Sequence, residues 1–111
     1  MEGPVKGDIV VIEFPYSNLK EAKRRPVFIL KVPKGKDILV LQITSSSYEN
    51  LLEIPIKEED FREGNLKKDS YLRIDKIASI DKSLINYKVG SLKKAKIEEI
   101  INKVTNYLRS N

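Results

Sequence analysis

The apolar residues of this chain come in short runs, the longest four residues: Ile9–Ile12, Val27–Leu30 and Ile38–Leu41. Runs this short, rich in β-branched residues, read as strands rather than helices. Each is punctuated. Pro15 follows the first and cannot donate to a ladder, Pro26 precedes the second, and Pro33 with Gly35 marks a turn before the third. The pattern predicts strands at Ile9–Phe14, Val27–Val32, Ile38–Ile43, Leu51–Ile56, Ser70–Ile80 and Tyr87–Leu92. The second and third should pair as a hairpin across Pro33–Asp37. Glu58–Arg62 reads as a helical turn ending at Gly64. The period then changes. Leu92, Ala95, Ile97, Ile100, Ile101, Val104 and Leu108 recur at helical spacing, predicting a helix over residues 93–109 with Ser91 as its N-cap. About six short strands and one late helix predict a mainly β fold: a small barrel-like sheet with a helix packed on it.

A length of 111 residues fits one domain, 1–111, with one core. A third of the residues are charged and 41% are hydrophobic, a globular balance rather than a disordered one. A membrane helix needs roughly 20 apolar residues, so runs of four exclude one. The opening MEGPVKGD lacks the apolar stretch of a signal peptide. The absence of cysteine fits a reducing cytoplasm. Histidine is also absent, which removes the commonest acid–base, nucleophilic and metal-binding devices. The net charge of +5 is unevenly spread. Residues 20–36 hold seven Lys/Arg and one Glu, whereas residues 49–63 hold six Asp/Glu and two Lys/Arg. The first segment attracts a polyanion and the second repels it. Charge alone favours a Lys/Glu-rich solvated surface and becomes evidence only alongside the motifs.

Three polar marks stand between the apolar runs: Arg24-Arg25-Pro26, Thr44-Ser45-Ser46 and Arg73-x-Asp75. Pro26 suits a strand entrance and holds Arg25 just outside it. A guanidinium there can fork onto two phosphate oxygens, or be an ordinary solvated arginine beside a turn. Thr44 closes the third strand. Hydroxyls at a strand end can donate to a phosphate oxygen, or only satisfy local backbone groups. Arg73 and Asp75, two apart on a strand, share one face, while Leu72 and Ile74 take the other as core candidates. An exposed ion pair there would contribute little. An aspartate beside an arginine is a weak base.

The stretches KGDIVVIEFPYSNLKEAKRRPVFIL, LVLQITSS and DSYLRIDKIASIDKSLINYKVGSL resemble, in their joint order and spacing, the MazF/PemK toxins of toxin–antitoxin pairs. Those are small sequence-specific endoribonucleases on an SH3-like barrel. The resemblance implies a catalytic Arg25 and Thr44, and, through the PemK/Kid branch, a catalytic Arg73 and Asp75. Asp75 is then an orienter of Arg73 or of the attacking hydroxyl, with base as its minor role. The loop Tyr16–Lys23 is implied in RNA and antitoxin contacts. RNA-binding positions are Ser17, Asn18, Lys20, Lys23, Arg24 and Ser45, and Tyr16 is either a base-stacking or a packing residue. The implied reaction is metal-independent and needs no cofactor. The substrate's 2′-OH attacks the adjacent phosphate of single-stranded RNA, leaving a 2′,3′-cyclic phosphate and a 5′-OH. The implied assembly is a homodimer whose groove also takes the acidic tail of an antitoxin. Three other readings compete. Val5–Val10 looks like the opening of a KOW-type nucleic-acid-binding barrel, although the usual glycine-and-lysine continuation is missing. A gyrase-poisoning CcdB-type toxin shares the fold but relies on a Trp-Gly-Ile ending that this chain lacks. A degenerate toxin would bind RNA without cutting it.

Overall fold

Both faces of the apolar runs are covered, which is why they are continuous rather than alternating. In β1 (Asp8–Phe14), Ile9 enters one buried cluster while Val10 and Ile12 enter another. In β2 (Lys23–Lys31), Phe28 joins the first cluster, and Val27 and Ile29 the second. In β3 (Asp37–Thr44), Leu41 and Ile43 join the first, and Ile38 and Val40 the second. These three strands are consecutive in the sheet, so the sequence's strongest runs are its centre. Full burial of each such side chain contributes about 1.5–3 kcal/mol.

The computed structural model describes residues 3–14, 23–47 and 51–111. After β3 come β4 (Glu53–Ile56), β5 (Phe61–Gly64), β6 (Ser70–Asp81), β7 (Ile85–Leu92) and the helix α1 (Lys94–Arg109). All pairings are antiparallel, in the order β4-β6-β3-β2-β1-β7-β5. The sheet is strongly curled. On one side α1 lays Ile100 and Val104, with Ile97 beside them, on the first cluster. On the other, Leu84 and Ile85 close over the second. The mainly β architecture, the β2–β3 hairpin and the late helix agree with expectation. α1 runs over nearly the whole expected span, with its buried stripe in its middle, while Ala95 and Leu108 are exposed.

Four local expectations are corrected. The segment read as a helical turn ending at Gly64 is a 3-10 turn, Glu58–Asp60, followed by a seventh strand. Gly64 does not cap a helix. It has φ +75° and lies opposite Gly90 in the β5–β7 ladder. A methyl on Gly64 would strike the Val89 carbonyl oxygen and the Gly90 Cα, and a methyl on Gly90 would strike the Glu63 carbonyl oxygen. The two strands approach this closely only because both positions are glycine. Secondly, Ser91 is not an N-cap. It lies buried in β7, and its Oγ–H donates to Asp8 Oδ1 at 2.7 Å. Asp8 Oδ2 accepts from the Val5 N–H at 3.0 Å, so this buried carboxylate staples the start of β1 to β7. Lys93 stands at the helix entrance without a side-chain cap. Thirdly, β2 begins at Lys23, so Arg25 and Pro26 lie inside the strand rather than before it. Finally, the fourth strand starts at Glu53 and the last at Ile85.

Candidate functional site

Arg25 sits opposite Ile12 of β1, exposed at the open end of β2. Val27 on β2 faces Gln42 on β3, and two residues further toward the strand ends come Arg25 and Thr44. Alternation puts Arg25 on the face of Val27 and Ile29, and Thr44 on the face of Val40: the second-cluster side for both. Among the described residues no carboxylate pairs with Arg25. Its neighbour Arg24 points to the other face and meets Glu13 at 3.2 Å. At Thr44 the Ser46 N–H donates to Oγ1 at 3.1 Å, which anchors the oxygen. Among the described residues the hydroxyl proton has a long contact to the Ser46 carbonyl at 3.5 Å, which a better acceptor would displace.

β6 delivers the third mark by a bulge. Ile43 pairs with Leu72 and Leu41 with Ile77, so residues 73–76 leave the β3 ladder. β4 takes them up. Arg73 faces Glu53, and the Ile74 N–H donates to the Leu52 carbonyl at 3.0 Å. Leu72 and Ile74 point into the first cluster, as expected, so Arg73 and Asp75 point to the same side as Arg25 and Thr44. The four residues therefore share one face across three adjacent strands, β2, β3 and β6. Arg73 and Asp75 are not an exposed pair. Their side chains are 14% and 16% exposed and form a bidentate fork, Nε to Oδ1 at 3.0 Å and Nη2 to Oδ2 at 2.9 Å. Partial burial pushes the Asp75 carboxyl up, but the hydrogen bond from Arg73, its own backbone N–H and the charges of Arg73 and Lys76 outweigh this. The net result lies below the usual carboxylate range. Asp75 thus stays ionised and fixes Arg73 in orientation. Glu53 was not singled out by the sequence. It is buried across from Arg73 and accepts from Ser47 Oγ–H at 3.0 Å, tying the end of the hydroxyl run to β4.

On the first-cluster side, an open cavity of about 720 Å³ begins where β2 and β3 end. Arg25, Thr44 and Ser45 form part of its rim. Val11, Ile43, Leu66 and Val89 supply apolar walls, and the charged lining residues are Arg24, Arg25, Lys67, Lys68 and Lys88, all cationic. Lys88 is partly neutralised. Its hydrogen bond to Glu63 and the nearby Asp8 charge raise its pKa, and the same bond lowers that of Glu63. Lys67 and Lys68 have no carboxylate partner among the described residues. Arg73 and Asp75 do not line the cavity. Lys23 is exposed at the start of β2. Tyr16, Ser17, Asn18 and Lys20 lie outside the described residues. No described helix is long and apolar enough to cross a membrane.

Residues 5–108 match the family described as PemK-like, MazF-like toxin of type II toxin–antitoxin system. No protein with a curated function matches the sequence. Solved structures do match. A MazE–MazF complex from Deinococcus radiodurans superposes with a TM-score of 0.78 at 16% identity, covering 99% of this chain and 100% of that one. The Mycobacterium tuberculosis toxin MazF-mt6 gives 0.71 at 19% identity, covering 94% and 98%. A mycobacterial endoribonuclease in complex with its cognate antitoxin gives 0.75 at 14% identity, covering 96% and 95%. Likeness at these identities establishes a common fold.

Proposed function

The chain belongs to the PemK-like, MazF-like toxins of type II toxin–antitoxin systems, and from that footing we propose that it is a metal-independent endoribonuclease acting on single-stranded RNA. One observation carries the reading: an arginine without a carboxylate partner among the described residues and a strand-end hydroxyl stand at the rim of a cavity whose described charged lining is cationic, and a locked Arg–Asp fork shares their face of the sheet. A phosphodiester meets every one of these groups with the right polarity.

The chemistry follows from what the residues can and cannot do. The family resemblance makes the substrate's own ribose 2′-OH the nucleophile, and the absence of histidine and cysteine removes two common protein alternatives. A ribose 2′-OH is already held next to its phosphate, so no metal is required to generate a nucleophile. Arg25 clamps the non-bridging oxygens and stabilises their charge as the phosphorane forms. The Thr44 hydroxyl donates to the same oxygens. Arg73, held flat by Asp75, brings its positive charge to the phosphate. Asp75 orients. The 2′-OH proton passes to water as the new P–O bond forms, the P–O5′ bond breaks and the departing 5′-oxygen takes a proton from water, so the products are a 2′,3′-cyclic phosphate and a 5′-OH. Ser17, Asn18, Lys20, Lys23, Arg24 and Ser45 contact the flanking nucleotides. The working assembly is a homodimer, its antitoxin an acidic segment occupying the basic groove, and its place of action the cytoplasm, where mRNA is found. The test is incubation of the purified protein with mixed-sequence RNA in EDTA. Cuts at one recurring short sequence with 5′-OH ends support the reading. Intact RNA that remains bound in a salt-dependent way supports a binding barrel or a degenerate toxin.

The pH–rate profile should show no inflection between about 5 and 8, because no histidine titrates there and Asp75 ionises below the ordinary carboxylate range. A group held below its unfolded pKa stabilises the fold above that unfolded value. The contribution is lost as pH falls through the folded one. Asp75 and Glu63 therefore place the loss of both structure and rate on the acid side, below about pH 4. A bell-shaped profile centred near pH 6–7 would contradict these assignments.

A further inference from the structure

The cationic cavity contains groups that cleavage does not use. Tyr87 lines it with a side chain 52% exposed, an unusual state for a large aromatic in a sheet. Its position is fixed by the ladder, where Tyr87 pairs directly with Val11 and stands two residues before Val89. Val11 and Val89 are walls of the same cavity, so the ring rises from an apolar floor. Facing it, the connection between β5 and β6 contributes Asn65, Leu66, Lys67 and Lys68. The Ser70 Oγ–H donates to the Lys68 carbonyl at 2.9 Å, which anchors the end of that connection. Lys67 and Lys68 are exposed and meet no carboxylate among the described residues, whereas Arg24 and Lys88 have Glu13 and Glu63. An exposed aromatic beside apolar walls, with two such ammonium groups on the same lining, is an arrangement that takes an unpaired base and its backbone.

We propose that this cavity is a second subsite for single-stranded RNA, seating a nucleotide beside the scissile phosphate with its base on Tyr87 and its phosphates on Lys67 and Lys68. The location relative to the cut rests on the endoribonuclease reading. The rim shared by Arg25, Thr44 and Ser45 is where a strand clamped on one face of the sheet turns onto the other. The subsite would then read flanking sequence by how well a base stacks, while the row of Arg25, Thr44, Arg73 and Asp75 handles the phosphate. An acidic peptide would meet the lysines equally well, but it has no use for the aromatic floor.

The test is fluorescence anisotropy with a mixed-sequence 12-nucleotide RNA carrying 2′-fluoro sugars, which lacks the attacking hydroxyl and stays intact. Lys67→Ala/Lys68→Ala should weaken binding and flatten the salt dependence of log K by about 1.4, the release of two phosphate contacts on a single strand. Tyr87→Ala should weaken single-strand binding roughly tenfold or more while leaving the duplex form of the same oligomer unchanged. Tyr87→Phe, which keeps the ring, should bind as the parent does. Unchanged affinity and salt slope in the lysine variant overturn the proposal. So does tighter capture of an oligoglutamate peptide than of the RNA, lost in the same variants. Because the probe cannot be cut, binding of this kind without cleavage of ordinary RNA leaves the subsite standing and removes only the endoribonuclease reading. Cleavage with normal binding by the variants does the reverse.

Discussion

Replacing Arg25 by alanine should cut the rate of RNA cleavage by about 10²–10³-fold, the cost of removing one preorganised donor from an oxyanion-type site. The melting temperature should hardly move. Arg25 is exposed and has no carboxylate partner among the described residues, so its removal breaks no ion pair among them and buries no orphaned group. The loss should fall on kcat more than on KM, because the guanidinium acts on charge that develops in the transition state. Arg25→Lys keeps the charge but not the fork and should recover only part of the rate. The Arg73 case differs. Arg73→Ala leaves Asp75 without its bidentate partner in a largely buried setting, so rate and stability should fall together. A large drop in rate without a drop in stability is the signature that separates Arg25 from Arg73.

A large effect on the fold should come from Gly90→Ala. The new methyl is driven into the Glu63 carbonyl oxygen and crowds the Gly64 Cα, both backbone atoms that no side-chain rotation can clear. Separation of β5 from β7 would expose Phe61 and Leu92, both in the first cluster, and disturb the Asp8–Ser91 staple beside them. A cost of about 3 kcal/mol or more is expected, a fall in Tm of roughly 10 °C or more for a domain of this size. Gly35→Ala is the comparison. Gly35 has φ +111° but nothing within 4 Å of the added methyl, so only backbone strain is incurred. If the two substitutions destabilise equally in thermal melts, close strand approach is not what Gly90 provides.

That pair of glycines also marks the limit of what was legible in the sequence. The central strands were readable because burial on both faces writes itself as four consecutive apolar residues. The middle of α1 was readable because Ile97, Ile100 and Val104 repeat at helical spacing. The strand Phe61–Gly64 has one buried side chain and ends on glycine, so nothing local distinguishes it from a turn. It exists because Gly90, 26 positions later, lets its backbone in. Ser91 looked like a helix cap because cap chemistry is local, and the competing partner, Asp8, lies at the other end of the chain.

The same division runs through the site. Arg25, Thr44 and the Arg73–Asp75 pair were visible as polar marks on strands, with their joint meaning supplied by family resemblance. Their convergence on one face depends on the bulge at residues 73–76, which no periodicity announces. Lys67, Lys68 and Tyr87 carried no mark at all. They join the site only because the curled sheet brings β7 and the β5–β6 connection to the end of β2, and only the folded chain shows which lysines lack acidic partners.

The most direct measurement replaces one sugar. Once a cut has been mapped on an RNA oligomer, the nucleotide that supplies the 2′-OH is changed to its 2′-deoxy form, and both substrates are incubated with the protein in EDTA. Cleavage should vanish at that position, while the all-ribose oligomer yields a 2′,3′-cyclic phosphate and a 5′-OH. Continued cutting of the deoxy substrate, or products bearing a 5′-phosphate, would mean that the nucleophile is not the substrate's own hydroxyl, and would contradict the account.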